Sequence, residues 1–551
     1  MTGPPTRDTL LTGDPVSAGG LTVRTSGAAL VAARDAVLDR AVSDGLAASL
    51  VAKDATLWGP DATAEASARL GWLDAVALGR ELVGPVVELR DALRAEGVDR
   101  VVLCGTGGSA LAPEVVCGST GSPLVVLDTT DPGQVRSTLT ELERTVVVVS
   151  SGSGSTLETD SLHRAACAAL GAAGLDPSSR VVVVTDPGSP LETEAREKGT
   201  RAVFLADPDV GGRFSALTAF GLVPSGLAGA DLTALLDEAA GLESTLSSDD
   251  GPALALGAVL GGGAVDGRDK IVLVVDDALV GFGGWAEQLL AGSTGKQGKG
   301  LLPVVVESAD APGTEPAADS HLVLVGAGEL PTPAAPHTSV AGPLGAQLLA
   351  WEYATAVAAH ALLVNPFDQP EVAESEDGTA AFLDGGAPPE RAPLFVQDGV
   401  EVRATGDLLA EVTDLEGALQ ALLDAVPERG YLAIMAYLDR LAESGATQLR
   451  PRLAARLAHP VTFGWAPRLL HSTGQLHKGG PQTGAFLQVT APADEDLAVP
   501  GRPWTFGQLQ TARAAGDLRA LADRSRPVLH LHLAERSRGL ATLLRAAGGG
   551  P

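Results

Sequence analysis

Short runs of β-branched and other apolar residues recur along this chain, and no other feature constrains its fold as tightly. In the first third they are bounded by Gly, Asp, Ser or Thr and separated by spans long enough for a helix or a helical turn. Such runs are typical of strands buried on both faces of a parallel sheet and joined by crossover helices. They therefore predict an α/β domain over residues 99–245. The runs are Val101–Cys104, Leu124–Leu127, Val146–Val149 and Val181–Val184.

A second set of runs, Ile271–Val275, Val304–Val306 and Leu322–Val325, predicts another α/β domain over residues 246–373. The predicted fold class is therefore α/β, with two doubly wound parallel sheets facing a cleft on which loops from both can converge. Helical spacing of apolar residues from about residue 25 predicts an N-terminal helical region, residues 1–98, that packs on the first domain.

The chain continues beyond these domains, and at 551 residues it exceeds what a single hydrophobic core accommodates. Residues 374–393 are rich in Glu, Asp, Gly and Pro without clear periodicity, which predicts a linker. Residues 394–551 then form a predicted C-terminal extension of α/β or α+β type. Its predicted helices are Leu408–Val426 and Gly430–Glu443, and its predicted strands are Ala485–Thr490 and Val528–His532.

The formal net charge of −29 argues against partners that need a basic surface. Such a charge repels nucleic acid and anionic membranes, so we expect neither as a partner. No apolar run approaches the roughly 20 residues of a spanning helix, and residues 1–20 lack the pattern of a secretory signal. We therefore expect a cytoplasmic protein. Cys104, Cys117 and Cys167 lack paired metal-ligand spacing, so we expect buried thiols and no metal.

A glycine-rich turn follows the first predicted strand, where Gly107, Gly108 and Ser109 lead into a predicted helix. Glycine lets the backbone approach a ligand closely, and a helix N-terminus offers free amides to an anion. A dinucleotide-binding fingerprint begins in the same way. The third glycine of that fingerprint is missing, although Asp128 does end the next strand, so we favour a different anion and leave this alternative open.

A hydroxyl-rich loop follows the third strand and carries Ser151, Ser153, Ser155 and Thr156 ahead of a predicted helix. Several hydroxyls and flexible amides at a helix start suit the oxygens of a phosphate monoester. The alternative is a surface loop that only caps its helix. Because both loops lie at strand carboxyl ends of one sheet, we favour phosphate binding.

These motifs, together with three others, resemble the glucose-6-phosphate isomerase family and its sugar-isomerase domains. A further segment near the C-terminus resembles the extended form of the family, which is also seen joined to transaldolase. The matches occur in order from about residue 100 to residue 535. The additional segments are Gly211–Ser215, Trp285–Pro303, Asn365–Pro370 and, near the C-terminus, Leu470–Pro481.

The resemblance implies a cytosolic homodimer that interconverts glucose 6-phosphate and fructose 6-phosphate in glycolysis and gluconeogenesis, without metal or cofactor. The implied chemistry is ring opening followed by proton transfer between C1 and C2 through an enediolate, with a nearby cation steadying the charge. The phosphate-binding role carries over to Ser151, Ser153 and Thr156, with Ser155 alongside. The cation carries over to Arg213, for which the alternative is an ion-paired loop arginine.

The chain departs from the family at three positions. Gly152 stands where the family usually has lysine, and Gly292 stands where it has the catalytic glutamate. The acidic run ending at Glu376 and Asp377 replaces a stretch in which the family has a lysine. On one helix Glu287 would lie roughly 140° around the axis from position 292, so we expect it to be a structural carboxylate and not a substitute.

The acid and base for ring opening are not fixed by the resemblance, and the flanks of His337 do not match well enough to assign it. His471 and Lys478 lie in a Gly-rich loop that could reach the cleft, or they could only stabilise the third domain. Two hypotheses follow: an isomerase with a displaced proton shuttle, or a non-catalytic sugar-phosphate binder that acts as a sensor or partner. An aminosugar-phosphate isomerase or regulator is disfavoured, because no glutaminase-like or helix-turn-helix segment is present.

Overall fold

The computed structural model of the chain describes residues 13–328, 330–333, 335–385 and 392–549. Strands within these ranges form three sheets. The strands are β1 (Val16–Ala18), β2 (Leu21–Ser26), β3 (Arg100–Gly105), β4 (Leu124–Leu127), β5 (Thr145–Ser150), β6 (Val181–Thr185), β7 (Ala202–Leu205), β8 (Lys270–Val275), β9 (Leu302–Val306), β10 (Ser320–Gly326), β11 (His337–Ala341), β12 (Phe395–Gln397), β13 (Val400–Ala404), β14 (Tyr431–Tyr437), β15 (Val461–Trp465), β16 (Gly484–Thr490) and β17 (Val528–Leu533).

Helices cover and connect these sheets. They are α1 (Ala28–Ser43), α2 (Leu46–Val51), α3 (Thr63–Ala66), α4 (Ala75–Ala95), α5 (Gly108–Thr120), α6 (Pro132–Thr138), α7 (Leu157–Ala172), α8 (Pro177–Arg180), α9 (Pro190–Glu197), α10 (Ala219–Ala228), α11 (Leu232–Glu243), α12 (Pro252–Val265), α13 (Phe282–Thr294), α14 (Leu344–Leu362), α15 (Pro370–Gly385), α16 (Leu415–Asp424), α17 (Leu449–Ala454), α18 (Gly474–Gly479), α19 (Phe506–Asp523) and α20 (Arg536–Ala547). None of the helices in the described ranges is both long and apolar enough to cross a membrane.

The first sheet has five parallel strands in the order β4-β3-β5-β6-β7. Every residue of β5 and β6 is buried, as the uninterrupted valine runs predict for strands covered on both faces. The four strands predicted for the first domain are therefore confirmed. Their carboxyl ends carry the glycine turn and the hydroxyl loop.

The second sheet has the order β1-β2-β11-β10-β8-β9, and its strands β8 to β11 are parallel. The predicted strands β8, β9 and β10 are confirmed. The N-terminal region is not purely helical and does not pack only on the first domain, because β2 pairs antiparallel with β11 of the second sheet. Helix α1 packs on α12. Residues 1–12 lie outside the described ranges.

The C-terminal extension is an α/β unit around a third sheet, in the order β12-β13-β17-β16-β14-β15. The predicted strands at β16 and β17 are confirmed. The helix predicted over Gly430–Glu443 is wrong, because residues Tyr431–Tyr437 form strand β14, which pairs with β15 and β16. The helix predicted over Leu408–Val426 is shorter and spans only α16.

The segment predicted as a linker, residues 374–393, is largely helical, because α15 runs through Gly385 and packs on α19. Residues 386–391 of that segment lie outside the described ranges. The third sheet also packs against the second: Met435 and Phe486 share one apolar cluster with Val272 and Val304. This packing brings the loops of the C-terminal unit to the cleft between the first two sheets.

Candidate active site

The glycine turn between β3 and α5 is the point where the three parts of the chain meet. A Cβ built on Gly107, whose φ is +63°, would lie 2.7 Å from Nε2 of Gln288 and 3.5 Å from Cβ of His471. A Cβ on Gly108 would overlap the carbonyl oxygen of Gly212. Glycine is therefore required at both positions by the close approach of neighbouring elements.

The hydroxyl loop is attached directly to this turn. Oγ of Ser109 donates a hydrogen bond to the carbonyl oxygen of Ser150, at 3.1 Å, where β5 ends. Oγ of Ser151 is buried and accepts a hydrogen bond from the amide of Gly154, at 3.1 Å. The start of the loop is thus fixed beside the turn, as the sequence predicts for loops at neighbouring strand ends.

The outer half of the loop faces solvent. Ser153 and Ser155 are exposed, and their hydroxyl oxygens lie 2.8 Å apart. Thr156 is half-buried at the N-cap of α7, where its side chain caps no amide. These hydroxyls are accessible to a ligand, while Ser151 shapes the loop from inside.

Gly152, where the resemblance predicts a lysine, faces a carboxylate. A Cβ built on Gly152 would lie 2.8 Å from Oδ2 of Asp186, the residue that follows β6. Burial raises the pKa of Asp186, Arg69 opposes that shift and Asp207 adds to it. Asp186 was not predicted from the sequence, although a polar residue after a buried strand is a signal that could have marked it.

Arg213 is buried at the cleft side of the glycine turn and is held by three hydrogen bonds. Its Nε donates to Oγ of Ser293 at 3.0 Å, and its second terminal nitrogen donates to the carbonyl oxygens of Pro366 and Asp368 at 2.7 and 3.4 Å. Burial lowers the pKa of Arg213 to about 10, against the charge of Asp368. The guanidinium is therefore a cation that also ties the segment after α14 to α13.

Gly292 lies directly under this arginine. A Cβ built there would be 2.6 Å from Cδ of Arg213 and 3.2 Å from Nε2 of Gln369. Glu287, on the same helix, is half-buried, and burial raises its pKa to about 8 against the opposing charge of Arg468. Because the two positions meet different arginines, Glu287 does not occupy the place of the missing glutamate.

His471 brings the C-terminal unit into the cleft. Its carbonyl oxygen accepts a hydrogen bond from Nε2 of Gln288 at 2.8 Å, which fixes it beside the glycine turn. Its Nε2 lies 3.6 Å from Oε1 of Glu158 on α7, the helix that the hydroxyl loop begins. The structure therefore places His471 beside the glycine turn and beside the helix that follows the hydroxyl loop.

Glu158, which faces His471, was not among the site residues predicted from the sequence. It is fully buried, and its Oε2 accepts a hydrogen bond from Arg513 at 2.6 Å. Burial opposes its ionisation, but the charge of Arg513 and its contact with His471 hold the pKa of Glu158 well below the usual range. Glu158 is thus an anion that faces the imidazole at neutral pH.

Lys478 lies on α18, the short helix that follows His471 in the chain. Its Nζ is 2.7 Å from Oδ1 of Asp517, and both side chains are buried. Its charge is thereby compensated within the C-terminal unit. The acid/base role predicted for Lys478 stays a prediction.

The acidic run of α15 is paired with neighbouring groups. Glu374 forms an ion pair with Arg524 at 2.5 Å. Glu371 accepts a hydrogen bond from Gln475. The negative charge of Glu376 interacts with Arg513. The repulsion of a phosphorylated sugar that this run would cause is therefore partly offset.

Comparison with known proteins gives a consistent set of relatives. No family model matches the chain. It is 36% identical over 206 residues to a glucose-6-phosphate isomerase of Synechococcus sp. (strain JA-3-3Ab), covering 35% of this chain and 39% of the relative. A probable glucose-6-phosphate isomerase of Haloarcula marismortui is 34% identical over 289 residues, covering 50% of this chain and 64% of the relative. The chain thus spans about two fifths to two thirds of these relatives.

Solved structures share the fold. A glucose-6-phosphate isomerase from Chlamydia trachomatis superposes with a TM-score of 0.54 at 18% identity, covering 67% of this chain and 89% of that chain. A hypothetical protein from Thermus thermophilus superposes with a TM-score of 0.54 at 26% identity, covering 64% of this chain and 98% of that chain.

Proposed function

We propose, because the chain belongs to the glucose-6-phosphate isomerase family, that its cleft binds a hexose 6-phosphate in the cytoplasm and slowly interconverts glucose 6-phosphate and fructose 6-phosphate. The observation that carries this proposal is the meeting of the glycine turn, the hydroxyl loop and His471 at one point. A phosphate would bind to Ser153, Ser155 and Thr156, and the sugar would lie over the turn toward His471.

Ring opening requires a base that takes the proton of the C1 hydroxyl and an acid that gives one to the ring oxygen. His471 is suited to both steps in turn, because a neutral imidazole ring has one nitrogen that can accept a proton and one that carries a proton. The ionised Glu158 beside it stabilises the imidazolium that forms after the first transfer. Arg513, bound to Glu158, keeps that carboxylate ionised.

Proton transfer between C1 and C2 is the slow step in this proposal. A shuttle carboxylate typically contributes 10²–10⁴-fold, or on the order of 3–5 kcal/mol of barrier, and Gly292 has no side chain to supply it. The amides of the glycine turn and the charge of Arg213 remain to stabilise an enediolate. We therefore propose turnover well below that of an enzyme with the glutamate.

A non-catalytic sugar-phosphate binder is the second candidate, and the state of Arg213 favours it. Its buried guanidinium donates hydrogen bonds to Ser293, Pro366 and Asp368, which makes the arginine a structural clamp between α13 and the segment after α14. A clamp of this kind stabilises the cleft without taking part in proton transfer.

The test is a coupled assay in which glucose-6-phosphate dehydrogenase reports the conversion of fructose 6-phosphate, run alongside calorimetric titration with 6-phosphogluconate. The first candidate predicts slow turnover that falls at least about tenfold in His471→Gln. A matched control is His459→Gln, since His459 precedes β15 at the end away from the cleft. Binding without turnover would support the second candidate, and absence of binding would refute both.

A further inference from the structure

Asp186 is built into the hydroxyl loop through the backbone. Its amide donates a hydrogen bond to the carbonyl oxygen of Gly152 at 3.2 Å, and Oγ1 of Thr185 donates to the same oxygen at 3.0 Å. Oγ1 of Thr185 also lies 2.8 Å from Oγ of Ser189. These contacts fix the inner wall of the loop against the end of β6.

The side chain of Asp186 points at the loop and lacks a partner there. Oδ2 lies where a side chain at position 152 would begin, 2.8 Å from a Cβ built on Gly152. Oδ1 is buried and accepts no hydrogen bond within the described residues. A buried carboxylate oxygen without a donor is costly, so a hydrogen bond from a ligand would stabilise this atom.

Two charged groups, Arg69 and Asp207, act electrostatically on the Asp186 carboxyl. Arg69 is already engaged, because its Nε binds Glu65 at 2.8 Å and a terminal nitrogen donates to the carbonyl oxygen of Pro208 at 3.1 Å. Asp207 adds a second negative charge. No lysine at position 152 offsets them, so the net field at the inner wall of the loop is negative.

A phosphate monoester as a dianion has only acceptor oxygens and would meet this carboxylate unfavourably. The monoanion carries one hydroxyl, which can donate to Asp186, and equally a protonated Asp186 can donate to the dianion. We propose that Asp186 is a specificity-determining residue. The hydroxyl loop binds a phosphate monoester only when one proton is shared between the phosphate group and the Asp186 carboxyl. The inference rests on the proposed binding of a hexose 6-phosphate.

Burial raises the pKa of Asp186, with Arg69 acting against the shift and Asp207 with it, which agrees with a carboxyl that takes up a proton as the pH falls. Affinity should therefore increase as the pH is lowered. An amide at position 186 removes the charge and supplies a fixed donor, so it should remove most of this dependence.

The experiment is calorimetric titration of the full chain with 1,5-anhydroglucitol 6-phosphate, a hexose 6-phosphate analogue that lacks the anomeric hydroxyl and cannot open its ring, at pH 6 and pH 8. In Asp186→Asn we expect the Kd at pH 8 to fall about tenfold, as one like charge at close range would predict. The ratio of the two Kd values should also become smaller than in the wild type. Gly152→Lys, which gives Asp186 a cationic partner, should likewise tighten binding at pH 8.

The control is Asp207→Asn, which removes a neighbouring charge that does not contact the loop, and it should change the Kd less than about threefold. If the ligand binds but Asp186→Asn leaves the wild-type Kd and its pH dependence unchanged, the role of Asp186 is refuted and the proposed function stands. If the ligand binds to none of the proteins at either pH, the proposed function itself is refuted.

Discussion

Replacing Gly292 by glutamate returns a carboxylate to the position that lacks one, and the structure defines what the change must overcome. The new Cβ would lie 2.6 Å from Cδ and 3.4 Å from Nε of Arg213, so the arginine side chain must move. That shift strains the hydrogen bonds of Arg213 to Ser293 and Pro366, of 3.0 and 2.7 Å. Overpacking of this kind typically costs about 1–3 kcal/mol of stability.

Gly292→Ala is the matched control, because it introduces the same Cβ without the carboxylate. We expect both variants to lose about 1–3 kcal/mol, partly offset by the higher helix propensity of the new residue. Only the glutamate variant gains a proton acceptor, and its carboxylate can pair with the displaced guanidinium. Since general base catalysis contributes typically 10²–10⁴-fold, we expect kcat/KM to rise at least about tenfold in Gly292→Glu and not in Gly292→Ala.

The coupled assay of fructose 6-phosphate conversion measures the rates, and urea unfolding measures the stabilities. Equal rates in the two variants, with both folded, would contradict the argument that the missing carboxylate limits turnover. A loss of stability in Gly292→Glu alone would show that the charge, and not the contact with Arg213, dominates at this position.

Two further predictions concern stability. Glu352 is fully buried, and one of its oxygens accepts a hydrogen bond from the amide of Ala216 at 3.1 Å. Burial raises the pKa of Glu352 from 4.5 to about 8, so the folded protein holds this proton more tightly than the unfolded protein does. The contribution of the protonated Glu352 to stability is therefore lost as the pH rises from about 4.5 to about 8. At pH 9 the variant Glu352→Gln should unfold at a higher urea concentration than the wild type, and at pH 5 it should not. The buried carboxylates of Asp131 and Glu443 lie 2.6 and 3.0 Å from the guanidinium of Arg536. Arg536→Ala leaves both without a cation and should lower the free energy of unfolding, measured in urea, by about 3–5 kcal/mol. The more exposed pair Arg502–Asp160 is the control, and Arg502→Ala should lower the free energy of unfolding by less than about 1 kcal/mol. Equal losses in the two variants would refute the argument that burial makes the Arg536 pairs more important for stability.

Seven strands of the first two sheets were predictable because valine-rich runs bounded by polar residues have few alternatives, whereas β1, β2, β7 and β11 were not predicted. The strand Tyr431–Tyr437 was not, because its Leu, Ala and Met residues favour helix and every residue is buried. A strand buried on both faces shows no alternation, so only its pairing with β15 and β16 distinguishes it from a helix.

Helix α15 has the composition of a linker because its stabilising partners are distant in sequence. Its carboxylates face Arg513 and Arg524 of the α19 region, and its backbone is ordered by packing on that helix. The composition of the α15 segment alone does not indicate that either arginine will pair with it. The same limit applies to Glu158, whose ion pair with Arg513 joins positions 355 residues apart.

The local motifs of the site, by contrast, could be found from sequence, since a turn such as Gly107–Gly108 needs particular residues at adjacent positions. What sequence could not supply was the state of each group after folding. Arg213 resembles a free active-site cation in the motif, yet the fold gives its donors to Ser293 and to backbone carbonyls.

The C-terminal unit is best understood as a wall of the cleft. It supplies the arginines and the first domain supplies the carboxylates: Arg468 faces Glu114 and Asp128, and Arg513 faces Glu158. Each of these carboxylates is largely or wholly enclosed by the contact and would be strongly disfavoured as a charge without it. Because His471 follows Arg468 within one short turn, the pairs that fasten the C-terminal unit also fix the imidazole beside the glycine turn. The position of the proposed acid/base group is therefore a consequence of electrostatic complementarity between the two parts of the chain.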